Sequence, residues 1–480
     1  MHVHFVAVAG TGMGALAGLL RAAGHRVTGS DTTFYPPMGP ALAKWGIEVV
    51  EGFAPEHLDP KPDLVVIGNV CRPWNVEARA AIDGGLTVSS MPHALARLLL
   101  EGRSPLVVGG THGKTTTSAM CAFVLSEAGL EPGFLIGGLP KDFEESFRVP
   151  GPRRLTGPKA TERRTPFVVE GDEYDTAFFE KTPKFWHYQP EVGIVTSIEH
   201  DHIDIYPDAA SYDAAFAGFV DRLPPQGLCV ASAHDRHVVE IASRANCEKA
   251  FYALSTDPEL DGAPPHWLAA PAKDGTFDVY AGGTLAGRMA LRVPGLHNVR
   301  NALAALAACC QGYGVDVRAA MSALERFGGV RRRQDLLFTH DGVSVYDDFA
   351  HHPTAVSETL AALHGRHPTG ALWAVFEPRS ATACRNLHQS EYESAFEHAA
   401  RVVLAPLGRS DIAETERLDL TKLASAIERH GGKAHLAPSV DAIVELLASE
   451  ARPGDTIALL SNGAFGGIYE KLRAALKARE

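Results

Sequence analysis

The most chemically specific stretch of this sequence is a short loop around a single lysine. It reads Gly109-Gly110-Thr111-His112-Gly113-Lys114-Thr115-Thr116, between a strand predicted at 105–108 and a helix predicted to end near Ala128. In such a loop the backbone amides contact phosphate oxygens, the Lys114 ammonium adds a positive charge, and the Thr115 hydroxyl can bind Mg²⁺. The usual pattern has a glycine where this chain has Val108. The loop predicts a phosphate site, and a tight turn with a chance lysine is the alternative.

Two acidic segments follow later strands of the same part of the chain. Residues 170–175 read Glu-Gly-Asp-Glu-Tyr-Asp after a strand predicted at 167–170, and residues 197–204 read Ser-Ile-Glu-His-Asp-His-Ile-Asp after one at 192–195. Parallel strands would place both segments beside the lysine loop. Carboxylates and an imidazole there can hold Mg²⁺ against a triphosphate. Not all of them can be ligands, and any single one could be a loop acid or a helix cap.

A second glycine-rich loop lies at the N-terminus. Gly10-Thr11-Gly12-Met13-Gly14 follows a strand predicted at 3–8 and precedes a helix predicted at 15–23. Closely spaced glycines let backbone amides approach a pyrophosphate, and Asp31, closing the next strand, could meet a ribose. The motif alone leaves a nicotinamide dinucleotide, another diphosphate or a structural turn open. Two phosphate loops in one chain disfavour a simple dehydrogenase.

Composition limits the classes of protein that fit. The 480 residues include 45 Lys and Arg against 57 Asp and Glu, a formal net charge of −12. An acidic chain is a poor general binder of nucleic acid or anionic lipid, which both require a basic surface. The seven cysteines contain no Cys-x-x-Cys pair, and no apolar run reaches the length of a membrane span. With no signal-peptide pattern at Met1, we expect a cytoplasmic protein without membrane insertion.

The order of elements predicts an α/β fold in three parts. Short apolar strands alternate with helical patterns in residues 1–104, 105–327 and 328–480, which is typical of parallel sheets covered by helices. Gly282-Gly283 between two alternating runs predicts a hairpin in a small antiparallel sheet. The basic, proline-rich segment 148–166 is interpreted as a mobile surface loop, with binding of an anionic substrate as the alternative.

These motifs together carry a family resemblance. The lysine loop resembles the ATP loop of the Mur ligases, the amide-forming enzymes of peptidoglycan synthesis. Further segments that resemble this family follow in its order at 170–175, 201–204, 295–301, 332–335 and 346–354. The chain is thus identified as a member of that family. The resemblance implies a Rossmann-like UDP-binding domain at 1–104, a P-loop ATPase-like central domain at 105–327, and a Rossmann-like peptide-binding domain at 328–480.

The resemblance also implies roles for individual residues, with ATP and Mg²⁺ as cofactors. The implied catalytic residues are Lys114, Glu173, His202 and Arg333, and the implied metal ligands are Thr115, Glu173 and His202. ATP would contact Gly110, Thr111, His112, Gly113, Lys114, Thr115, Asn298, Asn301, Asp348 and His351. UDP-sugar would contact Gly10, Thr11, Gly12, Met13, Gly14 and Asp31, and the peptide Arg379, Ser461 and Asn462.

For several of these residues the sequence also allows a different role. His202 could be a general base rather than a metal ligand. Asn298 and Asn301 could cap a helix, Asp348 could be a turn residue, and Arg379 could be a surface arginine. Several Mur ligases have a carbamylated lysine where this chain has Ala217, and its absence leaves the number of metal ions open.

Two activities of the family fit the N-terminal loop and the Asp-Asp-x-x-His-His-Pro-Thr motif. One adds L-alanine to UDP-N-acetylmuramate, and the other attaches a recycled tripeptide, L-Ala-γ-D-Glu-meso-diaminopimelate, to the same nucleotide sugar. Residues 30–38, 174–179, 184–188, 377–380 and 461–467 resemble the tripeptide enzyme more. We therefore expect an ATP-dependent amide ligase that works through an acyl phosphate. A nucleotide-sugar sensor that makes no bond is the alternative from another class.

Overall fold

The computed structural model describes residues 1–152, 164–258 and 264–479, which form two compact units. The first unit comprises Met1–His200, Asp208–Leu291 and Arg300–Phe327; the second comprises Asp201–Pro207, Arg292–Val299 and Gly328–Glu480. Most of the segment expected to be a mobile loop, residues 153–163, lies outside the described residues. One predicted boundary, 104/105, falls inside the first unit and the other, 327/328, between the units. The division into three domains stays a proposal.

The N-terminal part of the first unit is a parallel sheet with helices around it. Its strands are β1 (His2–Val6), β2 (Arg26–Asp31), β3 (Glu48–Glu51), β4 (Leu64–Ile67) and β5 (Val88–Ser90), in the order β3-β2-β1-β4-β5. Its helices are α1 (Thr11–Ala22), α2 (Met38–Lys44), α3 (Val76–Asp83) and α4 (Met91–Leu95). The strand order reverses between β1 and β4, and ligands bind at such a switch point in open α/β sheets. The loop after β1 is therefore well placed for a ligand.

The rest of the first unit is built on a ten-stranded sheet within the described residues. Its strands begin with β6 (Ser104–Gly109), β7 (Gly133–Leu135), β8 (Phe147–Arg148) and β9 (Pro166–Glu170), and a separate hairpin follows as β10 (Asp175–Ala177) and β11 (Glu180–Pro183). The sheet continues with β12 (Val192–Val195), β13 (Leu228–Ser232), β14 (Glu248–Leu254), β15 (Trp267–Pro271), β16 (Phe277–Ala281) and β17 (Thr284–Met289).

The order of this sheet places the candidate loops on neighbouring strands. It runs β17-β16-β15-β14-β13-β12-β6-β9-β7-β8, and β6 pairs in parallel with both β12 and β9. The loops after β6, β9 and β12 therefore leave the same edge. The accompanying helices are α5 (Lys114–Glu127), α6 (Ala209–Val220), α7 (Arg236–Ala242), α8 (Leu296–Ala307) and α9 (Val317–Arg326). The predicted hairpin around Gly282-Gly283 is confirmed as antiparallel β16 and β17. It does not form a small sheet of its own, because β16 also pairs with β15 and the hairpin is thereby the end of the ten-stranded sheet.

The second unit contains a six-stranded sheet with its own core. Its strands are β18 (Asp335–His340), β19 (Val343–Asp348), β20 (Leu372–Phe376), β21 (Arg401–Leu404), β22 (Lys433–Leu436) and β23 (Thr456–Leu460), in the order β18-β19-β23-β20-β21-β22. Its helices are α10 (Pro353–Arg366), α11 (Gln389–Ala395), α12 (Leu420–Arg429), α13 (Val440–Glu450) and α14 (Ile468–Lys477). Because side chains alternate along a strand, Ala374 and Phe376 pack against α10 to α12, whereas Trp373 and Val375 pack against α13 and α14.

The predicted α/β class is confirmed, and one helix start was wrong. Helix α1 begins at Thr11, four residues before the predicted start at Ala15. Glycines weaken a helix, but Met13 and Gly14 are buried in this first turn. A Cβ on Gly14 would lie 2.2 Å from Met38 Sδ, so the Met38 side chain packs directly on this glycine and buries the first turn of the helix.

Candidate functional site

The lysine loop has the backbone of a phosphate cradle. Its glycines Gly110 and Gly113 have φ angles of 140° and 80°, which side chains other than glycine rarely adopt. A Cβ on Gly110 would lie 1.9 Å from Thr196 Oγ1, and one on Gly113 would lie 2.5 Å from Asn301 Oδ1. The loop therefore keeps its backbone amides open only because no Cβ is present at these two positions. An anion-binding backbone of this kind fits a phosphate group.

The end of β12 holds this loop in place. The Thr111 amide donates to the Ser197 carbonyl and the His112 amide to the Ser197 hydroxyl, both at 2.9 Å. The Thr111 hydroxyl donates to the Glu199 carbonyl at 2.9 Å, and the Glu199 amide donates back to that hydroxyl at 2.8 Å. These supporting residues belong to the second acidic segment, but the sequence did not show that their role is to orient the loop.

Lys114 is the charged centre of the site. Its side chain, 12% exposed, forms an ion pair of 3.0 Å with Glu173, which is 1% exposed. The Lys114 ammonium also donates to the Gly110 carbonyl at 2.5 Å. Burial by itself lowers the pKa of Lys114, but the carboxylates of Glu173, Asp172 and Glu170 outweigh it, so the pKa lies above its ordinary value. Lys114 is a fixed cation at neutral pH, next to the amides that would meet a phosphate.

Thr115 pairs with a carboxylate that the sequence analysis had not selected as a site residue. Its hydroxyl donates to Glu170 Oε1 at 2.8 Å, and the Gly137 amide donates to Glu170 Oε2 at 2.7 Å. Burial, and then the neighbouring Asp172, raise the pKa of Glu170 against the opposing hydrogen bonds and Lys114. The sequence had placed Glu170 in the acidic segment 170–175 at the end of a strand, but it had not shown which member of that segment pairs with Thr115.

This donor set fits a hard divalent cation. A threonine hydroxyl and the carboxylates of Glu170, Asp172 and Glu173 gather beside the loop, and oxygen ligands of this type suit Mg²⁺. The chemistry of these residues therefore fits a magnesium–nucleotide site in the first unit.

The N-terminal glycine loop offers a second anion site in the first unit. Gly10, Thr11 and Gly12 are exposed at the start of α1, no side chain caps that helix, and no acidic residue lies in its first turn. Such a helix N-terminus favours a negative group. Asp31 Oδ2 accepts a hydrogen bond of 2.8 Å from the Ala9 amide and so supports the loop.

Asp201 and His202 belong to the second unit. His202 has a left-handed φ of 56°, and its amide donates to Asp201 Oδ1 at 2.7 Å. Burial raises the pKa of Asp201, but His202, His351 and a hydrogen bond from Thr382 outweigh it and hold the pKa well below its usual range. Burial lowers the pKa of the His351 imidazole. A buried carboxylate thus faces two predicted site histidines.

Asp348 organises the next group of predicted residues in the second unit. It ends β19, is 4% exposed, and accepts hydrogen bonds of 2.7 Å from the amides of Gln334 and Ala350. Burial raises its pKa, although the charge of Arg333 opposes this. The Arg333 guanidinium lies 5.0 Å from the centre of the Phe349 ring. Asp348 therefore holds the turn that presents Arg333.

Arg332, which the sequence did not single out, is a structural partner of this turn. Its guanidinium donates to Asp347 Oδ2 at 3.1 Å and to the carbonyls of Ser461 and Gly463 at 2.8 and 2.7 Å. Burial raises the pKa of Asp347 to about 6 against the opposing charge of Arg332. Arg332 thus joins the residues before β18 to the loop after β23.

The predicted peptide-binding residues lie around that loop. Arg379 is 47% exposed and lies over Gly463, where a Cβ would be 2.2 Å from Arg379 Cδ. The buried Ser461 hydroxyl donates to Glu377 and accepts from the Gly463 amide. Within the described chain, Asn462 Oδ1 is a buried acceptor without a hydrogen-bond partner. Arg379 and Asn462 have groups available for a ligand, whereas the Ser461 hydroxyl is engaged internally.

The two predicted asparagines have different surroundings. Asn301 is in the first unit, where its Oδ1 accepts from the Thr117 hydroxyl at 3.2 Å and lies beside Gly113. Asn298 is in the second unit, where its amide donates to the Pro294 carbonyl at 2.7 Å and to Gln334 Oε1 at 3.4 Å. The predicted metal ligands also belong to different units: Thr115 and Glu173 are in the first unit, and His202 is in the second.

Comparison with known proteins decides the family. Three models match: the "Mur ligase family, catalytic domain" at 2–103, the "Mur ligase middle domain" at 108–309, and the "Mur ligase, glutamate ligase domain" at 332–463. The UDP-N-acetylmuramate–L-alanyl-γ-D-glutamyl-meso-2,6-diaminoheptandioate ligase of Escherichia coli is 37% identical over 98% of this chain and 97% of its own length. The chain belongs to the Mur ligase family. It is therefore an enzyme that forms a carbon–nitrogen bond.

Two further Mur ligases are similar to this chain over nearly its whole length. A solved murein peptide ligase from Psychrobacter arcticus is 33% identical, covers 99% of this chain and 98% of its own, and superimposes with a TM-score of 0.72. The UDP-N-acetylmuramate–L-alanine ligase of Kineococcus radiotolerans is 35% identical over 96% of this chain and 93% of its own length. In the part of this Mur ligase that the structure describes, no helix combines the length and apolar character needed to cross a membrane.

Proposed function

We propose that this Mur ligase joins UDP-N-acetylmuramate to the tripeptide L-Ala-γ-D-Glu-meso-diaminopimelate and consumes ATP, as a step of peptidoglycan recycling. The observation that carries the proposal is the near full-length match to the Escherichia coli ligase named for these substrates. The phosphate cradle around Lys114 and the oxygen donors beside it support the use of a magnesium nucleotide.

The first step needs positive charge between two anions. The lactyl carboxylate of the sugar attacks the γ-phosphorus of ATP, which gives an acyl phosphate and ADP. Carboxylate and triphosphate repel each other, so groups that offset this repulsion lower the barrier. Lys114 supplies one fixed charge of this kind. For Arg333, which lies beside Phe349 in the second unit, we propose the catalytic role that the family resemblance implies. Mg²⁺, held by Thr115 with Glu173 and its neighbouring carboxylates, would neutralise the phosphate oxygens.

Lys114 changes partners in this proposal. In the described structure its ammonium contacts Glu173 and the Gly110 carbonyl, so it is already desolvated and oriented. A phosphate oxygen then replaces existing contacts rather than water, which limits the reorganisation needed during the reaction. Glu173, once released from the lysine, would be one of the residues that hold Mg²⁺.

The second step needs a free amine. The peptide α-amine attacks the acyl carbon, phosphate leaves, and the amine loses its proton. Because an α-amino group has a pKa of about 7.7–8, part of it is unprotonated near neutral pH and a strong base is not required. We therefore propose no general base for this step, and for His202, which lies beside Asp201, we propose the metal-binding role that the family resemblance implies.

The tripeptide carries several charges, and the second unit has groups that suit them. Arg379 is half-exposed beside Gly463, and the Asn462 carbonyl oxygen has no partner within the described residues. A guanidinium suits a peptide carboxylate, and an amide oxygen suits the ammonium of diaminopimelate. We propose these two side chains as peptide contacts and Ser461 as the residue that orients Glu377 beside Arg379.

L-Alanine is the second candidate acceptor, because a ligase named for it is 35% identical over most of the chain. Phosphate release separates the candidates when ATP, Mg²⁺ and UDP-N-acetylmuramate are supplied with either tripeptide or L-alanine, and the product mass is measured. We expect release that depends on both the sugar and the tripeptide. Faster release with L-alanine would assign the alanine activity, and nucleotide binding without release from any mixture would contradict a ligase of this substrate class.

A further inference from the structure

Two histidines and one glutamate from distant parts of the first unit come together outside the proposed nucleotide and peptide contacts. His93 is in α4, Glu180 begins β11, and His187 ends the short 3₁₀ turn Lys184–His187. His93 Nε2 lies 2.9 Å from Glu180 Oε2, and His187 Nε2 lies 3.6 Å from Glu180 Oε1. The centres of the two imidazole rings are 4.2 Å apart.

These three side chains are close enough together to bind one metal ion at the same time. One ligand atom from each residue can be chosen so that all lie within 4.8 Å of one another. Two imidazole nitrogens and one carboxylate oxygen form a donor set that zinc and its neighbours in the first transition row prefer, whereas Mg²⁺ prefers oxygen alone. His93 is 47% exposed, so a metal ion can enter from solvent and keep a water ligand.

The surrounding structure limits the freedom of two of the ligands. Glu180 and Pro183 are paired with Ala177 and Asp175 in the β10–β11 hairpin. His187 is 14% exposed, and its Nε2 is 2.8 Å from the Thr182 hydroxyl, which can move aside when a metal ion takes that position. Because these ligands are partly ordered beforehand, metal binding loses less side-chain entropy.

We propose that His93, Glu180 and His187 form a binding site for one first-row transition-metal ion of the Zn²⁺ class. The ion joins α4, which follows the N-terminal sheet, to the β10–β11 hairpin after β9. It replaces the hydrogen bond between His93 and Glu180, and the longer contact between His187 and Glu180, with coordination bonds that cross-link the N-terminal and central parts of the first unit. Metal binding therefore stabilises the folded first unit and requires no nucleotide.

The test uses tag-free protein, treated with a chelator and returned to buffer with excess Mg²⁺ so that the oxygen-rich nucleotide site does not compete. Co²⁺ is titrated and its visible absorption recorded, and Zn²⁺ binding is measured by calorimetry and by the shift in melting temperature. We expect the protein to bind one equivalent of each ion. The absorption spectrum should be that of a Co²⁺ ion with fewer than six ligands. His93→Gln should weaken binding by at least about tenfold and abolish the thermal shift.

The matched control is His237→Gln. His237 also pairs with a carboxylate, Asp213 Oδ2 at 3.0 Å, and is 37% exposed. We expect this variant to bind like the wild type. Glu180→Gln, which keeps the shape of the side chain, should lose Zn²⁺ binding while keeping the melting temperature of the metal-free protein. Wild-type protein that binds no Zn²⁺, or a His93→Gln variant that binds it equally well, would overturn the proposal.

Discussion

Replacement of Lys114 by methionine tests the proposed chemistry most directly. The change keeps most of the length of the side chain and removes its charge from a position that is 12% exposed. Two effects must be separated, because Lys114 also neutralises the buried Glu173. The first effect acts on the transfer of the phosphoryl group, and the second acts on the stability of the folded protein.

The size of the catalytic effect follows from electrostatics. Two unit charges about 4 Å apart interact by about 4 kcal/mol when the effective dielectric constant is about 20. Since about 1.4 kcal/mol corresponds to a tenfold change in rate, Lys114→Met should lower turnover by about a thousandfold. The stability effect arises because an unpaired buried carboxylate remains, and breaking a buried pair in this way costs about 3–5 kcal/mol unless Glu173 takes up a proton.

A second variant separates the two effects. Lys114→Met combined with Glu173→Gln removes both charges, so it should recover most of the lost melting temperature but none of the lost turnover. Lys471→Met is the control for loss of a lysine, because Lys471 forms an exposed pair with Asp441 at 2.6 Å, and it should keep wild-type turnover. The assay is phosphate release with ATP, Mg²⁺, UDP-N-acetylmuramate and tripeptide. Wild-type turnover by folded Lys114→Met protein would refute the assignment.

Three other outcomes are expected. Gly113→Ala should abolish nucleotide binding, measured by calorimetry, because its Cβ would lie 2.5 Å from Asn301 Oδ1 at a φ of 80°; normal binding would contradict this. Asp347, whose pKa burial raises to about 6, adds stability that is complete below about pH 4 and lost as pH rises through 6. The wild-type melting temperature should therefore fall relative to that of Asp347→Asn between pH 4 and 7. If the melting temperatures of the two proteins change with pH in parallel, Asp347 does not contribute stability in this way. Six of the seven thiols are buried and Cys310 is partly buried, so a thiol reagent at pH 8 should label at most one thiol rapidly in the folded protein and all seven in the denatured protein. Rapid labelling of two or more thiols in the folded protein would contradict the burial.

Local sequence patterns were sufficient for most of the fold. Strand β12 has the predicted bounds, because a short apolar run bordered by turns is typical of a buried parallel strand. The start of α1 was wrong, because glycines at its N-terminus indicate a loop and only the packing of Gly14 against Met38 shows why the helix extends through them.

The sequence by itself determined where phosphate can bind, since a loop of glycines between a strand and a helix is a local feature, and the order of motifs determined the family. Tertiary structure alone decided the partners of each side chain: Lys114 with Glu173, Thr115 with Glu170, and His93 with Glu180, which are 87 residues apart. Such pairs depend on which strands are neighbours and how helices pack on them. A local pattern contains no record of these long-range contacts, so only the folded chain reveals them.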